Sequence, residues 1–204
     1  LARLILVRHG ETEWNKSLRY QGQSDVPLSE YGIEQAARVS DRLAGEEIDA
    51  IYSSDLSRAR ETAEIIASRH GRVEICQSPL LREMNFGEAE GMIFDEIKER
   101  YPEIAGEFQA WRTRSPEVRA PNGESIAQLV ARVARFAEKL KEHKPEETVL
   151  VVAHGGSLQV LICLLLGIGL EHWFQVRLSN ASVTIMDTSR DGAAFIVLND
   201  VCHL

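Results

Sequence analysis

Two stretches of this chain share one hydrophobic pattern. Leu4-Ile5-Leu6-Val7 is an unbroken run of branched apolar residues that stops abruptly at Arg8-His9-Gly10. Thr148 to Ala153 is a second such run, and it stops at His154-Gly155-Gly156. Continuous apolar runs of this length read as strands buried on both faces. Between them the period lengthens to that of helices. Ser29 offers an N-cap for a helix with Ile33, Ala36, Ala37 and Leu43 on one face, and Gly45 is its expected stop. Asp49 to Tyr52 reads as the second strand. A helix carrying Ala59, Ala63, Ile66 and Ala67 follows, closed by Gly71, and then a third short strand from Val73 to Cys76. Strands alternating with helices imply right-handed crossovers and a parallel sheet. The expected architecture is α/β: a three-layer α/β/α sandwich with a mostly parallel central sheet.

The middle of the chain breaks this rhythm. From Met84 to Glu124 there is little strand character, and Pro102, Pro116 and Pro121 punctuate it. Phe94 to Arg100 and Glu103 to Trp111 read as short helices. Phe94, Ile97, Tyr101, Phe108 and Trp111 need burial, so the region is expected to be a helical cap laid beside the sheet. Ser125 with Gln128 three residues on is a capping-box pattern, opening a helix with Ile126, Leu129, Val130, Val133, Phe136, Ala137 and Leu140 as its stripe. Ser182 to Met186 and Ala194 to Leu198, joined through Ser189-Arg190-Asp191-Gly192, form an expected closing hairpin. One domain over 1–204 results, with its core at about 1–83 and 125–204 and the cap at about 84–124.

Composition narrows the function. The 204 residues are 44% hydrophobic and 26% charged, ordinary for a globular protein, but the formal charge is −8. That balance argues against a general nucleic-acid binder, which needs a basic surface. Any anionic substrate must therefore meet a local cluster of arginines. Cys76, Cys163 and Cys202 are widely spaced and odd in number, which fits free thiols in a reducing compartment; Cys76 and Cys163 are expected as buried hydrophobes. The apolar run Val160 to Leu170 is broken by Gly167 and Gly169 and is too short for a bilayer, so it reads as a core helix. Leu1-Ala2-Arg3 leads straight into the first strand with no leader pattern, and a cytoplasmic protein is expected. The spacings of zinc motifs are absent, so neither metal nor cofactor is expected. The apolar tail Val197 to Leu204 suits either a homodimer contact or cover for the protein's own core.

The chemistry-bearing residues converge. His9 and His154 occupy one structural address, the carboxyl end of a strand, where ligands sit in open α/β sheets. Arg8 brings a permanent charge and a planar donor fork. Arg58 falls in the first turn of its helix, where helix dipole and guanidinium would act on one anion. Glu83 puts a carboxylate at the mouth of the cap, with Glu88 and Glu90 as rivals. Each has an ordinary reading taken singly: surface ion pairs for the arginines, a satisfied interior histidine, a helix cap for Asn15. Their coincidence favours a site. His70, His143, His172 and His203 lack such context.

These pieces resemble the histidine phosphatase superfamily, which contains the cofactor-dependent phosphoglycerate mutases, and especially its small bacterial phosphatase branch. The motifs are Leu6 to Asn15 (LVRHGETEWN), Tyr20-Gln21-Gly22, Ser53 to Ala63 (SSDLSRARETA), Leu81-Arg82-Glu83 with Phe86-Gly87 and Glu90-Gly91, and Val151 to Gly156 (VVAHGG). The resemblance covers nearly the whole chain. It implies that His9 is the nucleophile and forms a phosphohistidine. It implies that Arg8, Arg58 and His154 hold the phosphoryl group, with Asn15 and Gly155 among the binding residues. Glu83 matches the proton donor, and Gln21 with Gly22 lies in the loop lining the entrance. Ala89 stands where many relatives carry tryptophan, and Ala153 where Ser or Thr is common; both bear on pocket shape. The short segment after Glu83 favours a metal-independent phosphomonoesterase over a mutase. A small phosphorylated metabolite, with α-ribazole 5′-phosphate or phosphoserine as candidates, is the expected partner, and nucleic acid and membrane are not. A mutase and a non-catalytic module binding phosphorylated ligands are the alternatives.

Overall fold

The computed structural model of this chain describes residues 2–71, 73–103, 105, 117, 119–189 and 192–204. Its centre is one six-stranded sheet in the order β3-β2-β4-β1-β5-β6. The strands are β1 (Arg3–Arg8), β2 (Ala50–Ser53), β3 (Ile75–Gln77), β4 (Thr148–Ala153), β5 (Val183–Ser189) and β6 (Gly192–Asp200). The pairs β1–β4, β2–β4 and β2–β3 are parallel, whereas β5 and β6 add antiparallel to the β1 edge. The closing hairpin and the mostly parallel sheet are as the hydrophobic pattern predicts.

Alternation along the two central strands builds two cores. Leu4 and Leu6 of β1 with Val149, Val151 and Ala153 of β4 face one layer; Ile5 and Val7 with Leu150 and Val152 face the other. On the second face pack α2 (Glu30–Leu43) and α3 (Ser57–Ala67), through Val39, Leu43, Ala59, Ala63 and Ile66. Ser29 caps α2 by accepting the Gly32 N–H at 3.0 Å. The first face receives the two helices that follow the cap, here called α5 (Ile126–Leu140) and α6 (Gly155–Leu166). Leu129, Val133 and Phe136 of α5 are fully buried, each such side chain contributing about 2 kcal/mol of hydrophobic stabilisation. The apolar α6 stops at Gly167, which adopts φ +65°, a conformation open to glycine at little strain.

Ahead of α2 a single turn, α1 (Glu13–Lys16), follows the His9 segment, and α4 (Phe94–Arg100) forms where the cap was expected. Met84, Phe86, Ala89, Ile97 and Ala120 all join the first-face core, with Phe94 and Tyr101 packed against it. The expected second cap helix ending at Trp111, and the expected burial of Phe108 and Trp111, fall outside the described residues. Two expectations need correction. The third strand is Ile75–Gln77 and not Val73–Cys76, and Cys76 is exposed. Both follow from β3 being a three-residue edge strand that pairs with β2 alone; an edge has little apolar face to mark its register. Cys163 is buried as expected. Val197 and Leu204 of the tail pack on the second core, while Leu198 and Val201 are exposed. Among the described residues, no helix is long and apolar enough to cross a membrane.

Candidate active site

Register brings the two histidines together. Arg8 of β1 lies opposite Ala153 of β4, so the next residue on each parallel strand is a histidine. The His9 N–H donates to the Ala153 carbonyl at 3.0 Å. The two rings have centroids 5.0 Å apart and planes inclined by 60°. His9 Nδ1 lies 2.7 Å from the Gly10 carbonyl. A carbonyl oxygen only accepts, so Nδ1 carries the proton and Nε2 keeps its lone pair. Neither ring nitrogen of His154 has a hydrogen-bond partner among the described residues. Burial first, then the charges of Arg58 and Arg8, hold His9 well below the usual histidine pKa; burial, Arg58, His9 and Arg8 do the same to His154. Both imidazoles are therefore neutral at neutral pH.

The turn at Gly10 is held from the other layer. Gly10 N–H donates to Thr62 Oγ1 at 3.2 Å, and a Cβ at position 10 would stand 2.3 Å from the Gly32 carbonyl oxygen. Glycine here is a matter of close approach rather than of special backbone angles.

Arg58 is fully buried. Its Nη2 donates to the Gly22 carbonyl at 2.7 Å and its Nη1 to the Ser24 carbonyl at 2.9 Å. Burial pushes its pKa down to about 10, opposed by Glu83, Asp25 and Glu90, so the guanidinium stays charged. Arg8 donates from Nη1 to the Leu178 carbonyl at 2.7 Å. The Nε of each arginine is buried without a partner, and neither arginine forms an ion pair within the described residues. A fully buried cation, Arg58, and a partly buried one, Arg8, with no carboxylate in contact are costly unless an anion arrives.

One electrostatic expectation is corrected. The start of α3 does not share an anion with Arg58: the Ser57 N–H is taken by the Asp25 carboxylate at 2.7 Å, and Arg58 is the α3 residue that lines the cleft. Gly22 acts through its carbonyl on Arg58. It adopts φ +53°, and a Cβ there would lie 2.0 Å from Glu90 Oε1. Gln21 lines the cleft with most of its side chain buried, its Nε2 donating to Thr12 Oγ1.

Glu83 lines the same cleft as His9, Asn15, Gln21, Gly22 and Arg58, a space of about 530 Å³. Its Oε2 accepts the Gly156 N–H at 2.9 Å and its Oε1 the Met84 N–H at 2.8 Å. The rival carboxylates are engaged elsewhere. Glu90 accepts the N–H groups of Gln23, Ser24 and Phe86 at 2.7–3.0 Å, and Glu88 accepts Tyr101 Oη at 2.6 Å and Asn122 at 2.9 Å. Asn15 is a capping residue and a cleft residue at once. Its Oδ1 accepts the Thr12 N–H at 3.2 Å and Asn180 Nδ2 at 3.1 Å. Gly155 stands beside Arg8 and Glu83: a Cβ there would meet Arg8 Nε at 3.7 Å and Glu83 Oε2 at 3.8 Å. His154 is fully buried, with its ring beside that of His9. Ala89 and Ala153 are core residues that line no part of the cleft.

Three residues escape the sequence reading. Gly156 supplies the N–H to Glu83, and only its place as second glycine of the pair hints at this. Asn180 donates to the His9 carbonyl at 3.2 Å as well as to Asn15. Arg132 of α5 donates to the carbonyls of Leu80 and Arg82 at 2.8 Å and of Glu83 at 3.3 Å, while pairing with Glu124 at 2.8 Å. Away from the cleft lining, Asp200, Cys202 and His203 bring one metal-capable atom each within 4.8 Å of one another. Asp200 there is engaged by the Cys202 N–H at 2.9 Å and by Arg42 at 3.5 Å.

The sequence model of the histidine phosphatase superfamily (branch 1) matches residues 4–201. The chain belongs to that superfamily. This histidine phosphatase is 36% identical over 204 residues to phosphoserine phosphatase 1 of Hydrogenobacter thermophilus, covering 100% of the chain and 95% of that protein. It is 39% identical over 162 residues to phosphoglycerate mutase-like protein 4 of Arabidopsis thaliana, covering 78% and 69%. Among solved structures, the α-ribazole phosphatase of Shigella flexneri superposes with a TM-score of 0.87 at 32% identity, covering 97% of this chain and 96% of that one.

Proposed function

We propose that this histidine phosphatase hydrolyses small phosphate monoesters through a phosphohistidine at His9. The observation that carries the reading is the pair of neutral imidazoles 5.0 Å apart, beside the buried Arg58 and the partly buried Arg8, neither with a carboxylate in contact. His9 Nε2 attacks phosphorus and the P–O bond to the alcohol breaks. Glu83 in its acid form gives its proton to the departing oxygen. Water then attacks the phosphohistidine, Glu83 takes the proton, and phosphate leaves with His9 restored. Dividing one hard displacement into two is the gain of covalent catalysis. Arg8, Arg58, His154 and Asn15 hold the phosphoryl oxygens, a role in which one well-aimed donor is worth ~10²–10³ in rate. Glu83 adds roughly 10²–10⁴-fold as acid and base. Gln21, Gly22 and Gly155 shape the site around these groups. The positive charge that metal ions supply in other phosphoryl-transfer enzymes comes here from the guanidinium groups.

The substrate is a small phosphorylated metabolite, with phosphoserine and α-ribazole 5′-phosphate as candidates because relatives carry those names. Residues 84–124 act as the cap of the single domain, giving Glu83 its setting. Turnover of p-nitrophenyl phosphate with a chelator present supports the reading, and its absence sinks it. The relative named mutase-like favours a second reading. Interconversion of phosphoglycerates that requires 2,3-bisphosphoglycerate would replace hydrolysis with mutase chemistry.

A further inference from the structure

The cleft has a second lobe of about 500 Å³, walled by Gln159, Trp173, Phe174, Arg177 and Ser179. Arg8, Glu83 and Phe86 line both lobes, whereas His9 and Arg58 line the first alone. Glu83 therefore stands at the junction. Given the hydrolysis proposed above, on which this inference rests, the phosphoryl group fills the first lobe. Its ester oxygen must face Glu83 to be protonated, and an alcohol portion continuing past Glu83 enters the second lobe.

The cations of the two lobes are in different states. Arg19, on the rim of the first, is spent on the Gly91 carbonyl and on Glu96 at 3.1 Å. Arg177, in the second, is exposed and has no ion pair or hydrogen bond to any described residue. Met84 and Trp173, both buried, and Phe174 give that lobe an apolar wall. In a chain of net charge −8, an unpaired guanidinium in a cleft is a selective feature. One free cation matches one negative charge, and the planar fork fits a carboxylate. We infer that Arg177 is a specificity-determining residue that receives a carboxylate on the alcohol portion of the ester. The preferred substrates are then carboxylate-bearing phosphate monoesters, which separates phosphoserine from α-ribazole 5′-phosphate, an ester without a carboxylate.

O-Phosphoserine and O-phosphoethanolamine differ by that carboxylate alone. The test measures kcat/KM for both on the wild-type protein and on Arg177→Gln and Arg177→Lys. Wild type should prefer phosphoserine. Arg177→Gln should lower the phosphoserine-to-phosphoethanolamine ratio roughly 10–100-fold, mainly through KM, as for loss of one charge-assisted bond. Arg177→Lys should recover part of it. Damage to the fold would scale both esters together and leave the ratio intact, so an unchanged ratio overturns the inference, as does a wild-type preference for phosphoethanolamine or α-ribazole 5′-phosphate. Should wild type turn over no ester, the hydrolase reading fails by itself. Calorimetric affinities for the same pair of phosphate esters then decide Arg177 separately: tighter phosphoserine binding lost in Arg177→Gln supports its role, and equal affinities reject it.

Discussion

The Gly156 N–H holds Glu83 Oε2 at 2.9 Å, and a Cβ at position 156 would stand 2.4 Å from Glu83 Oε1. The proposed acid thus depends on the absence of a side chain at the start of the helix after His154. The colliding atom is the free end of a flexible glutamate, so Gly156→Ala should move the carboxylate and spare the fold. Loss of acid catalysis is worth roughly 10²–10⁴-fold, and it should fall on kcat/KM for alkyl phosphates, which reports formation of the phosphohistidine. p-Nitrophenyl phosphate, whose phenolate leaves without a proton, should lose far less. Equal losses on both ester types, or none, would reject the role given to Glu83.

Arg132 holds the backbone that carries the same residue, donating to the Glu83 carbonyl at 3.3 Å. It binds the carbonyls of Leu80, Arg82 and Glu83 and pairs with Glu124 at side-chain exposures of only 16% and 13%. Arg132→Leu strands Glu124 and three acceptors, and denaturant melts should show a loss of about 3 kcal/mol, the lower end for a broken buried pair. As a positioning residue, Arg132 should also show the leaving-group dependence of the Gly156 variant. Rates on aryl and alkyl phosphates, taken where the variant is folded, check this; a purely structural arginine would lower both equally.

The buried imidazoles set an acid limit on stability. His9 and His154 both titrate well below their ordinary range in the folded protein, whereas the unfolded chain takes up protons near pH ~6.5. Below that pH the unfolded state binds more protons than the folded one, so stability falls as pH falls. Each buried histidine contributes about 1.4 kcal/mol per pH unit until its folded pKa is reached. Urea midpoints measured on either side of this pH should therefore drop on acidification, and His154→Gln should show a visibly shallower drop. Identical pH slopes would contradict the burial argument.

Legibility in the sequence tracks the range over which a signal acts. β1 and β4 are marked by continuous apolar runs, and the strand–His–Gly repeat places His9 and His154 at equivalent strand ends before any register is known. Cap signals at Ser29 and Ser125 act over three residues and are equally readable. β3 is not, because a short edge strand needs no apolar face; the misjudged burial of Cys76 has the same cause. Arg132 reaches carbonyls 49–52 residues away, and Asn180 reaches His9 across 171. Such side-chain-to-backbone bonds impose no periodicity and stay invisible until the sheet brings their ends together. The Asp25 carboxylate on the α3 start overturned an expectation for that reason. Glu83 was legible as a candidate, but its separation from Glu88 and Glu90 required seeing what each carboxylate already holds.

Covalent trapping tests the central claim most directly. Glu83→Gln, which slows both formation and breakdown of the intermediate, is incubated with a radiolabelled phosphate ester, quenched in alkali and digested. The label should lie on the His9 peptide, attached at Nε2, stable to alkali and lost in acid, and His9→Ala should carry none. Label retained by His9→Ala, or an alkali-labile acyl phosphate on a carboxylate, would contradict the account.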